Sequence, residues 1–109
     1  MNEKDLTDIL FAAAERRARS SGVRFGQGAD NSIHQFAQQG AQRILEQQPQ
    51  VNRRDSIISQ AESAFEKLVE EMVRASAEIE GYRLSNPNVI GEQTLTLALS
   101  RLCPCFPIC

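Results

Sequence analysis

The sequence has no tryptophan, one tyrosine, one histidine and four prolines in 109 residues, and its formal net charge is only -2. A single histidine, with no serine or cysteine in a strained turn and no acid pair beside a glycine-rich loop, leaves little with which to run acid-base or nucleophilic chemistry. The expectation is a protein that is not an enzyme and that needs no cofactor. Long apolar runs are missing too, and a membrane-crossing helix would need about 20 such residues. The opening Met1-Asn2-Glu3-Lys4-Asp5 is charged where a signal peptide would carry a basic tip and an apolar block. A cytoplasmic location is therefore expected.

Cysteine is scarce and confined to one place: Cys103, Cys105 and Cys109 all lie within the last seven residues. A disulfide scaffold would spread its cysteines through the chain, so the fold does not depend on cross-links. Length argues for one domain, since domains commonly run ~100 to 150 residues. We divide the chain into a helical domain, residues 1–102, and an apolar Cys/Pro tail, residues 103–109.

Four helices are expected. Leu6, Ile9, Leu10, Ala13 and Ala14 repeat at three-and-four spacing and predict a helix over 4–19. Ser20-Ser21-Gly22 stops it, and Gly26, Gly28 and Asp30 suggest a loop to about residue 31. The glycines do not make a phosphate loop, because no Lys-Ser or Lys-Thr pair follows and no strand is expected before them. A second helix over 32–48 presents Ile33, Phe36, Ala37, Gly40, Ala41, Ile44 and Leu45 on one face, and glutamines on the other, until Pro49 ends it. The third helix, 53–80, has the strongest pattern: Ile58, Ala61, Phe65, Leu68, Met72, Ala75 and Ile79 recur without a break, widened by Ile57, Ala64, Val69 and Val73.

At ~1.5 Å per residue this helix would run ~40 Å, longer than a small domain readily covers. Part of its apolar face, with Phe65, Leu68, Met72 and Ile79, is expected to meet a second copy of the chain or another protein. After Gly81, a natural cap, and a loop over 82–88, the stretch 93–100 is ambiguous, because Leu95, Leu97 and Leu99 alternate as in a strand. A lone strand could not satisfy its backbone, so a helix over 90–102 is preferred. The all-α layout of a medium, a long and a short helix over about residues 31–102 resembles the histone fold, and that resemblance implies dimerisation. It does not extend to phosphate binding, because the loop at 82–87 offers one basic residue, Arg83.

Charge divides unevenly. Residues 1–54 carry eight Lys or Arg against six acids, and residues 55–109 carry four against eight. Arg16, Arg17, Arg19 and Arg24 form the nearest thing to a basic patch, with Arg53 and Arg54 further on. A nucleic-acid-associated protein is the alternative they suggest, although cations also complement the negative end of a helix. Nucleic acid is not the expected partner.

The ending Leu102-Cys103-Pro104-Cys105-Phe106-Pro107-Ile108-Cys109 carries no charged side chain. Its thiols could bind a soft metal, accept acyl chains, or act as small hydrophobes in a packed or partner-facing segment. It is not a prenylation box, because Phe106 stands four residues from the end. Two prolines favour an extended shape that does not bring three sulfurs onto one ion. No metal is expected. Phe106 and Ile108, with Cys103, Cys105 and Cys109 as modification sites, are instead expected to meet a partner's apolar groove or a membrane surface. The reading as a whole is a non-catalytic interaction module: an adaptor, assembly subunit or small regulatory partner.

Overall fold

A computed structural model describes residues 2–80 and 89–102, without the side chains of Ala77, Ile79 and Glu80. Among these residues the chain is predominantly helical. The order is α1 (Glu3–Ser20), β1 (Arg24–Phe25), α2 (Gln27–Gln47), α3 (Ser56–Glu80), β2 (Val89–Ile90) and α4 (Glu92–Leu102). The expected cap at Gly81, the loop at 82–88 and the tail fall outside the described residues.

Local chemistry sets the ends of α1. The Asn2 side chain accepts the Asp5 N–H at 2.8 Å, which satisfies one of the free donors of the first turn. At the other end Gly22 adopts φ 75°, the Gly22 N–H donates to the Arg19 carbonyl, and the Val23 N–H donates to that of Ala18. That is a Schellman ending, and the left-handed step explains the glycine. The turn sends the chain straight into β1, whose residues pair in parallel with β2, Arg24 opposite Val89 and Phe25 opposite Ile90.

This short sheet corrects two sequence expectations. Residues 22–31 are not all loop, and α2 begins at Gln27 rather than 32. Likewise 89–90 is a strand, and α4 starts after it. Gly26 lies close against the neighbouring strand: its N–H donates to the Ile90 carbonyl at 2.8 Å, and a Cβ there would sit 3.2 Å from that same oxygen. The third helix also starts later than expected. The Asp55 carboxylate accepts the Asn52 N–H at 2.8 Å while the Asp55 N–H donates to the Asn52 carbonyl, which holds residues 52–55 in a turn before Ser56.

The sequence helix, strand, glycine, helix therefore occurs twice, as α1-β1-Gly26-α2 and α3-β2-Gly91-α4. The two strands join the units through equivalent positions, and Ala29 and Thr94, each three residues after the glycine, are both buried.

The core forms where α1 packs against both α2 and α3. Leu6, Leu10, Ala13 and Ala14 meet Ile33, Ala37, Ala41 and Ile44 of α2 and the apolar face of α3, and Ala13, Ala14, Ala37 and Ala41 are all fully buried. Phe36 and Phe65 bridge α2 and α3 with ring centroids 5.5 Å apart. Leu95 and Ala98 seat α4 on the same core. A long axis of 45 Å accommodates a 25-residue helix of ~38 Å. The histone-like layout over 31–102 left α1 out, whereas here α1 belongs to the same core.

Candidate functional site

Phe65, Leu68 and Met72, expected to face a partner, are each 0% exposed. They are packing residues of this chain's own core, where α3 packs against α1 and α4 and Phe65 meets Phe36 of α2. Burying side chains of this size contributes about 1.5–3 kcal/mol each. The side chain of Ile79 lies outside the described residues, as do Phe106, Ile108, Cys103, Cys105 and Cys109.

The four arginines of the basic patch separate into two pairs. Arg16 reaches Glu62 at 3.3 Å and Glu66 at 4.0 Å, and Arg17 holds Glu70 at 2.8 Å. Arg53, ahead of α3, donates to Glu62 from the other side at 3.1 Å. The acidic face of α3 is thus the counter-charge of α1, and the Glu62 side chain keeps only 14% of its surface exposed. Such rim pairs orient the helices more than they stabilise them, contributing about 0–1 kcal/mol each where exposed.

Arg19 and Arg24 behave differently. Both are exposed, and neither makes an ion pair among the described residues. They converge on a cleft of about 390 Å³ at the corner where α1 turns through β1 into α2. Ala18, Val23 and Phe25 give the cleft its apolar lining, and Glu15 and Asp30 complete it. The Schellman turn brings Arg24 and Phe25 back beside the last turns of α1, so only four intervening residues separate two arginines that line one opening.

An aromatic cluster includes Phe25 of the cleft lining. His34 stacks on Phe11 with centroids 3.7 Å apart, and Phe11 lies 6.4 Å from Phe25. The His34 Nδ1 stands 3.1 Å from the Asp30 carbonyl oxygen, an acceptor, which places the ring proton on Nδ1 in that bond. The Asp30 carboxylate lies 3.6 Å from the same nitrogen. Asp30 is therefore engaged on its own helix, which leaves Glu15 as the acid in the cleft without an ion pair among the described residues.

Sequence reasoning found Arg19 and Arg24 but grouped them with Arg16 and Arg17. It missed Val23 and Phe25, whose signal is the stop at Gly22 followed by a short β-prone stretch. At the far end of the fold, Arg101 of α4 reaches Glu71 at 3.4 Å and also bonds Glu78, both on α3. The Arg101 hydrogen bond holds the Glu78 carboxyl below its ordinary range, and Glu78 in turn raises the guanidinium of Arg101. No described helix is long and apolar enough to cross a membrane. Among the described residues, no group of three or more His, Cys, Asp or Glu side chains is placed to hold a metal ion. The chain matches no protein-family model, no curated protein and no solved structure.

Proposed function

We propose that the chain is a non-catalytic protein-interaction module, in which a helical body holds an uncharged C-terminal segment for a partner or a membrane surface. The observation that carries this reading is the seating of α4. Leu95 and Ala98 are buried in the core and Arg101 is tied to Glu71 and Glu78, so α4 is held on the body up to Leu102, the residue at which the uncharged run of the sequence begins. An uncharged segment of that length gains ~0.8 kcal/mol for each methylene it buries, enough for docking or for anchoring when two cysteines are acylated. The tail thiols are the acceptors in that case, and one acyl chain alone would hold only weakly.

Because Phe65, Leu68 and Met72 are buried in the chain's own core, this reading assigns self-association to another surface. The nucleic-acid alternative is weakened because three of the six arginines it would use, Arg16, Arg17 and Arg53, are already held by glutamates of α3. The test is deletion of residues 103–109 in the native cells, followed by fractionation, intact mass measurement and melting. The reading expects unchanged helical content and melting, with loss of membrane or partner retention. Unfolding of the truncated chain would make the tail part of the core and overturn the proposal, as would unchanged retention.

A further inference from the structure

The corner cleft offers a recognition surface distinct from the tail. We infer that it docks a short peptide segment of a partner protein carrying an acidic side chain next to an apolar one. The inference rests on the reading of the chain as an interaction module, and it names the chemistry of one partner motif.

Two features point to that occupant. Arg19 and Arg24 lack ion-pair partners among the described residues, although Arg16, Arg17, Arg53, Arg74 and Arg101 of the same chain all have one. Two arginines lining one opening favour a carboxylate, which can accept paired N–H donors from either. Between them lies an apolar lining of Ala18, Val23 and Phe25, and the volume of about 390 Å³ is near the lower end for ligand pockets, suited to one or two side chains rather than to a cofactor. Of the two acids in the lining, Asp30 is turned to His34, while Glu15 supplies an acceptor for a peptide N–H, and two acids against two arginines make the cleft dipolar. That disfavours a polyanion such as nucleic acid, which would bring several charges against it.

The probe is a capped tetrapeptide alternating aspartate and leucine, titrated into the full chain and followed by backbone amide shifts. Its lysine-leucine counterpart, inorganic phosphate and a single-stranded oligonucleotide serve as comparisons. The expected result is saturable shifts confined to residues 15–30 with the acidic peptide alone. The double variant Arg19→Gln/Arg24→Gln should weaken that binding about tenfold or more with helical content unchanged, since each loss removes a charge-assisted hydrogen bond. Arg24→Lys should retain part of it. Equal binding of the basic peptide, equal binding of phosphate, tighter binding of the oligonucleotide, shifts elsewhere or an unaffected double variant would each overturn the inference. Tail-dependent retention is measured separately, so failure here leaves the interaction-module reading standing, and failure of the tail deletion test leaves this cleft unaffected.

Discussion

Four arginines lie within nine residues at the end of α1 and the turn that follows, and the fold gives them two different situations. Arg16 and Arg17 point across to α3 and meet Glu62, Glu66 and Glu70. Arg19 and Arg24 stand over the corner cleft with no ion pair among the described residues. Position on the helix accounts for the difference. Arg16 and Arg17 flank the core-facing Ala13 and Ala14 by one turn and so lie at the rim of the α1-α3 contact. Arg19 has passed that rim, and the Schellman turn carries Arg24 round to join it. Charge of one sign close together in sequence is therefore not a patch until the fold places it.

The strongest way to break this comparison is to remove the packing that sets the rim. Phe65→Ala should cost about 3–5 kcal/mol, because it empties a fully buried aromatic position shared with Phe36. Calorimetry should show a fall in Tm of more than about 10 °C. A change within experimental scatter would mean that α3 does not pack as described.

A smaller effect is expected at the other pair's support. Gly26→Ala places a Cβ against the Ile90 carbonyl, a backbone atom, and should cost about 1–3 kcal/mol while disturbing the β1-β2 pairing that positions Arg24. Amide exchange at Gly26 and Phe25 should quicken more than at Ala13 or Leu10. Uniform quickening would argue that the sheet is not a separate support.

The smallest effect concerns another paired arginine, Arg101 of α4. The folded-state pKa of Glu78 is depressed, so its contribution to stability is present above the ordinary value of 4.5 and is lost as pH falls through the lower folded value. Carboxyl NMR should place the Glu78 midpoint below 4.5, and Arg101→Gln should return it to the ordinary range. An unmoved midpoint in that variant would remove Arg101 as the cause.

The sequence made the helices legible because each carries its own periodicity: α1 agrees with its expected span to within one residue at either end. The ambiguous alternation of Leu95, Leu97 and Leu99 resolved as helix, with Leu95 buried and Leu97 partly exposed. What periodicity could not show was which face meets which. The apolar stripe of α3 looked too wide for one chain because nothing in the sequence assigns Leu6, Leu10, Ala13 and Ala14 to it. The two-residue strands were hidden for a related reason. Arg24-Phe25 pairs with Val89-Ile90 far along the chain, so no local signal records the contact, and three nearby glycines read as loop. The cleft inherits that blindness, because it exists only once the turn and the sheet have formed.

The central claim is that the two arginine pairs have separate roles, the first holding α1 to α3 and the second facing a partner. A crossed comparison of Arg16→Gln/Arg17→Gln with Arg19→Gln/Arg24→Gln tests it most directly, by measuring melting and affinity for the acidic tetrapeptide on the same samples. The account predicts that the first variant loses about 0.5–2 kcal/mol of stability and keeps its affinity. The second should keep its stability to within about 0.5 kcal/mol and lose its affinity. If both variants lose stability and affinity in the same proportion, the four arginines act as one patch and the account is contradicted.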